Sequence, residues 1–376
     1  MPYMSKVNSN NPLALKMVPK LRAKKIQSFA ALLVNWQRTH GRHDLPWQKI
    51  LDPYRVWVSE IMLQQTQVAT VISYFDRFMK RFPTVKSLAN ADQDEVLGLW
   101  SGLGYYSRAR NLHRCAQDVV KLHGGLFPKD YQTLQSLPGI GPSTAAAVAS
   151  ICFSERVPIL DGNVKRVLTR LAGYGEDLSR SPNLQELWGV ALGLLPASGK
   201  DMPIYTQGIM DLGATVCTPK NPKCEICPAK SICTALAEGD PLKYPVKTRK
   251  IKRTTQSLWM VCLINNKRQI WLEKRPTKGI WASLYSVPVF TNEVALKEFA
   301  EVIKAKKMDF KTPITHALTH KELILHWVQT EQFSVQKLLD LSRESEHSNG
   351  AWFSQTKWSA LGLSAPVRKF LLDALA

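Results

Sequence analysis

The chain has 376 residues, with 50 lysines and arginines against 30 aspartates and glutamates, a formal net charge of +20 and a pI near 9.7. That length predicts two domains, while 45% hydrophobic and 21% charged residues exclude a mostly disordered chain. No run approaches the roughly 18 apolar residues of a membrane span, and the basic excess makes a polyanion the first partner to consider.

Residues 1–24 are polar and basic without periodicity, and no acid precedes Asp44. Organelle transit peptides share that bias, but here the basic residues are mostly lysine and the amphipathicity is weak. Both features predict a short basic arm. From 25 to 235 the pattern is helical: Ile26, Phe29, Ala30, Leu33 and Trp36 recur at the spacing of one helix face. Further helices are predicted over 54–65, 68–81, 91–100, 107–122, 131–137, 143–152, 163–171, 184–195 and 202–212, with Pro83, Gly124-Gly125 and Pro138-Gly139 as breakers. Residues 236–256 read as a basic linker, with Lys243, Lys247, Arg249, Lys250, Lys252 and Arg253. Beyond it, 257–376 reads as an α+β domain. A hairpin is expected around Asn265-Asn266-Lys267, with strands over 257–265 and 268–274. Further strands are expected over 313–318 and 322–330, and helices over 293–305, 335–341 and 366–375.

Four of the seven cysteines fall within 17 residues: Cys217, Cys224, Cys227 and Cys233. Four thiolates closing one small loop can hold a tetrahedral zinc or a [4Fe–4S] cluster. Structural zinc sites use paired short spacings, whereas only one pair here is that close, so the spacing favours the cubane. Lys220 and Lys223, between the first two cysteines, would offer cations to phosphates from a pinned loop, or simply face solvent.

Leu137-Pro138-Gly139-Ile140-Gly141 separates two predicted helices. Gly139 and Gly141 permit a tight turn whose exposed N–H groups, at the start of the next helix, suit a phosphate. Asp161 follows the apolar run Pro158-Ile159-Leu160 and precedes Gly162 and Asn163. Such an aspartate is usually an N-cap; shielded from water, it could instead stabilise a cation formed in a reaction. Glu60 is the one charge in the apolar stretch from Val56 to Leu63. Its apolar neighbours would raise its pKa toward that of a general acid. Gln64 and Gln65 then offer neutral hydrogen-bonding groups. The segment from Gly102 to Arg110 adds flexible backbone, Tyr105 and Tyr106, and Arg108 and Arg110 as part of the basic surface for DNA; the aromatics could be core, Tyr106 above all, but tyrosine with glutamine is also the chemistry that wedges into a base stack.

Together these residues resemble the adenine DNA glycosylase (MutY) family of the helix-hairpin-helix, endonuclease III-like superfamily, over nearly the whole chain. The motifs are Leu45–Trp47, Ser59–Val68, Gly102–Leu112, Leu137–Ala145, Pro158–Leu168, Met210–Ala214 and the cysteine loop. The resemblance implies an all-α helix-hairpin-helix glycosylase domain with a [4Fe–4S] loop, followed by an α+β Nudix-like domain. In the latter, Lys274-Arg275-Pro276 and Gly279-Ile280-Trp281 are in place. The glutamate-rich Nudix hydrolase box is absent, which implies recognition without hydrolysis.

The implied reaction hydrolyses the N-glycosidic bond of an adenine, mispaired with 8-oxoguanine or guanine, that has been flipped from the duplex. Glu60 would protonate the adenine at N7, Asp161 would stabilise the oxocarbenium-like sugar, and Asn163 would help to hold it. Ser143 stands where bifunctional relatives carry a Schiff-base lysine, which implies a monofunctional enzyme; it could otherwise cap its helix. Gln65 and Tyr105 would lie near the damaged base, and Gln207 would line the adenine pocket. The family's usual Phe-Ser-His turn is Leu318-Thr319-His320 here; Thr319 keeps a hydroxyl and His320 is retained. The expected partner is mispaired double-stranded DNA, met by a monomer in a bacterial-type cytoplasm or nucleoid. Two other readings stay open: an endonuclease III-like glycosylase-lyase acting on oxidised pyrimidines, and a non-enzymatic iron–sulfur DNA-binding protein.

Overall fold

The computed structural model describes residues 23–48, 50–248, 252–344 and 350–375. The basic arm expected over 1–24 lies outside them, except for its last two residues, which begin the first helix. The helical part runs α1 (Ala23–His40), α2 (Pro53–Leu63), α3 (Val68–Arg81), α4 (Val85–Ala89), α5 (Gln93–Leu99), α6 (Ser107–His123), α7 (Tyr131–Ser136), α8 (Pro142–Phe153), α9 (Gly162–Ala172), α10 (Ser181–Gly193), α11 (Met202–Thr215) and α12 (Thr234–Ala237). Then come β1 (Thr254–Leu263), β2 (Ile270–Lys274), β3 (Tyr285–Ser286), β4 (Val289–Phe290), α13 (Glu293–Val302), β5 (Asp309–Phe310), β6 (Ile314–Ala317), β7 (Lys321–Thr330), α14 (Val335–Glu344), β8 (Gly350–Phe353), α15 (Gln355–Trp358) and α16 (Ala365–Leu375). No helix among the described residues is long and apolar enough to cross a membrane.

The chain forms two compact units. The first holds the described residues up to Met79, Thr84–Lys86, and those from Cys115 to the linker. The second joins Lys80–Pro83 and Ser87–Arg114 to the strands and helices after the linker.

In the first unit, α11 packs against α1, α8 and α9, and α2 packs against α8. Helix α8 is buried almost all round: Ala145, Ala146, Ala147, Val148 and Ala149 are inaccessible. A helix without a polar face must lie inside, and its small side chains let its neighbours approach closely. The hairpin α7–turn–α8 anchors itself through Leu137 and Ile140, which are buried, leaving Gly139 and Gly141 exposed. Gly139 has φ +75°, a backbone state that costs glycine little, and the Ile140 N–H closes the turn onto the Leu137 carbonyl at 3.2 Å.

In the second unit, β1 and β7 run parallel in full register at the centre of a five-stranded sheet ordered β4-β1-β7-β5, with β6 also on β7. Side chains alternate across β1. Leu258, Met260 and Cys262 face one core with Val367 and Leu371 of α16, and Val261 and Leu263 face another with Leu296 of α13 and Leu338 of α14. A strand buried on both faces reads as an unbroken apolar run, as Leu258–Ile264 does. The strands expected as one hairpin around Asn265 do not pair as a ladder. After a single bridge between Ile264 and Ile270 they part, β2 joining β3 and β8 in a separate three-stranded sheet. The turn is as expected, with Asn265 Oδ1 accepting from the Lys267 and Gln269 N–H groups at 3.0 and 2.9 Å. Long parallel pairing with β7 takes β1 away from its sequence neighbour.

Candidate active site

Helix α2 is set by Asp52, whose Oδ1 accepts from the Tyr54 N–H at 3.2 Å, and by Pro53 at its first turn. It buries Val56, Trp57, Val58, Ser59, Ile61 and Met62, so Glu60 is the one charged side chain between Val56 and Leu63. Glu60 opens onto a cavity of about 390 Å³, within the range of small-ligand sites, shared with Gln37, Arg42, His43, Trp47 and Gln207. Burial, reinforced by the negative charge of Asp161 and partly offset by Arg42, pushes the Glu60 carboxyl up to about 7. Near neutral pH it is therefore poised to give up a proton.

Asp161 is the N-cap of α9, with Oδ1 accepting from the Val164 N–H at 2.7 Å. The capping role expected from sequence is present, and the same carboxyl lies near enough to Glu60 to repel its charge. Burial pushes the Asp161 pKa up, while N–H groups of Val164 and Asn163 and the charges of Arg166 and Lys165 pull it down. Asn163 turns its side-chain oxygen to Arg166 Nη2 at 2.9 Å. Arg166 also donates to the carbonyls of Gly213 and Cys217, both at 2.7 Å. A Cβ on Gly213 would stand 2.8 Å from Asn163 Cβ, so the close passage of α9 over α11 requires glycine there.

The sequence reading missed the centre of this site. Asp211 is wholly buried. Its Oδ1 accepts from Arg42 Nε at 2.8 Å and from Gln207 Nε2 at 2.9 Å. Its Oδ2 accepts from the Arg42 N–H at 2.9 Å and from Gln37 Nε2 at 3.1 Å. One carboxylate thus arranges three side chains that line the cavity. The available signal was an aspartate inside the apolar helix segment Met210–Gly213. Arg42 carried no signal, because a basic residue after a basic arm looks ordinary.

The other predicted residues fall in several places. Gln64 donates to Thr144 Oγ1 of α8 at 3.3 Å, whereas Gln65 is exposed with φ +56°. Ser143 is not a cap: Gly141 is the N-cap of α8 and Pro142 its first residue. Lys220 and Lys223 are exposed on the cysteine loop. In the second unit, Thr319 and His320 form the turn between β6 and β7, closed by the Leu318 N–H on the Lys321 carbonyl at 2.7 Å. Arg108, expected among the DNA-binding residues, is only 8% exposed. Its guanidinium donates to the carbonyls of Leu103 and Gly104 at 3.4 and 3.2 Å. It shapes the turn from within.

Cys217, Cys224, Cys227 and Cys233 line one small pocket together with Arg170. Arg170 Nη1 stands 3.4 Å from Cys217 Sγ and donates to the Thr218 carbonyl at 2.7 Å, while Nη2 donates to Pro219 at 3.1 Å. Among the described residues, no three His, Cys, Asp or Glu side chains converge on a single-ion site.

A family described as HhH-GPD superfamily base excision DNA repair protein matches residues 58–190, and a NUDIX domain matches residues 259–373. A solved thermostable thymine-DNA glycosylase superposes with a TM-score of 0.50 at 28% identity, over 57% of this chain and 98% of that one. With the hairpin and the cavity, these matches define a helix-hairpin-helix base-excision repair protein that carries a C-terminal Nudix-like domain. The chain is 37% identical to the adenine DNA glycosylase of Buchnera aphidicola subsp. Schizaphis graminum (strain Sg), over 92% of this chain and 98% of that relative. It is 46% identical to the adenine DNA glycosylase of Homo sapiens, over 92% of this chain and 73% of the relative. The chain belongs to the adenine DNA glycosylase family and is a base-excision-repair glycosylase.

Proposed function

We propose that this glycosylase removes adenine mispaired with 8-oxoguanine or guanine in double-stranded DNA, without a lyase step. The observation that carries this reading is Glu60, a carboxyl held near neutral pKa in the cavity beside the charge of Asp161. An adenine seated between Trp47 and the polar groups of Arg42 and Gln207 would present N7 to the Glu60 proton. Once protonated, the base leaves as a neutral species rather than an anion. Asp161, whose pKa burial raises while the N–H groups of Val164 and Asn163 and the charges of Arg166 and Lys165 act against that rise, would stabilise the positive charge that develops at the sugar. Asn163, held by Arg166, orients the same region, and water completes the hydrolysis. No lysine stands at position 143, so the family's Schiff-base amine is missing there.

Exposed backbone of the Gly139–Gly141 turn, together with Lys220 and Lys223, would bind phosphates. The Leu318-Thr319-His320 turn would read the opposing base, and Gln64, Gln65 and Tyr105 would meet the duplex near the mispair. We place the enzyme with chromosomal DNA, acting as a monomer.

Cys217, Cys224, Cys227 and Cys233 would hold a [4Fe–4S] cluster, which supplies a rigid cross-link of their loop. The purified protein is expected to be yellow-brown, with about four irons per chain. A colourless protein containing one zinc would refute this assignment.

The function is tested by single-turnover base release from duplexes with A opposite 8-oxoguanine, G or T and from a thymine-glycol duplex, each with borohydride trapping. Release is expected from the first two and not from A:T, with little covalent adduct. Strong trapping confined to an oxidised-pyrimidine duplex would replace this reading with a glycosylase-lyase. No base release from any mispair would leave a DNA-binding protein.

A further inference from the structure

The turn Gly102–Tyr105 lies in the second unit, and three of its four residues have left-handed backbone. Gly102 has φ +98°, Gly104 +76° and Tyr105 +49°. Tyr105 is 46% exposed, and the Arg108 guanidinium sits 5.5 Å from its ring centroid. One face of the ring thus has a cationic neighbour, and much of the side chain is left to solvent.

The turn is tied to the Leu363 carbonyl, more than 250 residues away in sequence. The Tyr106 hydroxyl donates to the Leu363 carbonyl at 2.7 Å and accepts from the Gly102 N–H at 3.2 Å. The Ser101 hydroxyl also donates to the Leu363 carbonyl, at 2.9 Å, and accepts from Arg368 Nη2 at 3.0 Å. Leu363 is wholly buried in the core built on α16 and β1, and it bridges Tyr285 beside β2. The contact is close: a Cβ on Gly98 would stand 2.1 Å from the Ala360 carbonyl oxygen. The same segment is clamped by Asp94, whose Oδ1 meets Lys274 Nζ at 2.5 Å and whose Oδ2 accepts from the Tyr285 hydroxyl at 3.0 Å.

We propose that Tyr106 is a positioning residue through which the C-terminal strands and α16 set the pose of Tyr105. Left-handed backbone costs the two glycines little but is unfavourable for Tyr105, and such a residue keeps its conformation because the surrounding structure over-determines it. Leu363 supplies a fixed acceptor, Tyr106 transmits it to the Gly102 N–H, and Arg108 closes the inner side on the Leu103 and Gly104 carbonyls. The half of the chain that would read the opposing base is thereby coupled to the aromatic ring that would meet the duplex. The coupling runs through a two-hydroxyl clamp on one carbonyl and rests on the reading of Tyr105 as a duplex contact near the mispair.

The test compares wild type, Tyr106→Phe, Tyr105→Ala and the double variant. The probes are a duplex with 2′-fluoro-deoxyadenosine opposite 8-oxoguanine, whose fluorine blocks oxocarbenium formation, and a fully paired duplex. Tyr106→Phe keeps the ring and removes only the hydroxyl. It is expected to weaken binding of the mispaired probe about tenfold, or ~1.4 kcal/mol, with little change for the paired one. Adding Tyr106→Phe to Tyr105→Ala should cost nothing further, because a residue acting through Tyr105 has nothing left to position. Wild-type affinity in Tyr106→Phe, or losses that add in the double variant, would overturn the proposal alone. If Tyr105→Ala itself preserves mispair preference, the duplex reading of Tyr105 falls and the proposal falls with it.

Discussion

Replacing Glu60 with glutamine should lower the rate of adenine release by about three orders of magnitude while mispair binding changes by no more than about twofold. Glutamine keeps the shape and the hydrogen-bonding reach of the side chain but has no proton to deliver. Binding survives because the phosphate contacts assigned to the hairpin turn and the cysteine loop are untouched. The wild-type pH profile gives an independent check. Burial and Asp161 raise the Glu60 pKa to about 7, so the acid form dominates below that pH and is lost above it. Single-turnover release should fall about tenfold per pH unit beyond roughly pH 7.5.

The same shift has a stability consequence of definite sign. The folded protein binds the Glu60 proton more tightly than the unfolded chain does, so this group's contribution is most favourable at low pH and is lost as pH rises through about 7. Glu60→Gln has no such titration, and its melting temperature at pH 8 should equal or exceed that of the wild type. A variant that binds normally and still releases adenine at an appreciable rate would remove Glu60 from the role of acid.

Asp211→Ala should be the most destabilising single change around the cavity. It strands Arg42 and removes the shared acceptor of Gln37 and Gln207. Breaking a buried, hydrogen-bonded pair costs roughly 3–5 kcal/mol, although Arg42 keeps 27% side-chain exposure and so recovers part of that from water. Thermal unfolding should therefore shift down by several degrees. Adenine release from the folded fraction should drop by about 10²-fold, the usual consequence of a polar group displaced by an ångström. Asp211→Asn is the informative companion. It preserves size and one acceptor oxygen but loses the charge that holds the guanidinium, so most folding stability should return while catalysis stays impaired. Stability and release both at wild-type levels in Asp211→Ala would mean that Arg42 and Gln207 are held by something else.

The two residues of the proposed chemistry differ in how they could be found. Glu60 was visible because a lone acid in an apolar helical stretch has few ordinary explanations. Asp161 was visible only as a cap with a second possibility; α9 shows the cap, and the nearness of Asp161 to Glu60 is what supports the proposed second role. Asp211 was overlooked because an acid in the middle of a helix reads as solvent-facing until its neighbours are known. Arg108 went the other way: an arginine beside two tyrosines and two glycines suggests a DNA contact, but its guanidinium donates to carbonyls of the turn that it follows. Short-range composition cannot tell an arginine that holds a loop from one that holds a ligand, since both need donors in the same place.

Local physics is strong wherever helices follow one another. Period, breakers and caps placed α3 at its observed ends, and α7, α8 and α9 to within a residue or two, because each is decided by hydrogen bonds and side chains within a few positions. The cysteine spacing and the Gly139–Gly141 turn were legible for the same reason. The pairing of β1 with β7 was not, since it joins residues about 67 apart along the chain and depends on which edge wins the ladder, not on the propensity of either strand. Nor was the attachment of Ser87–Arg114 to the C-terminal strands, or the gathering of Arg42, Gln37 and Gln207 on one carboxylate. Those arrangements are set by burial and by hydrogen-bond satisfaction among groups distant in the chain, energies that do not exist until the chain has folded.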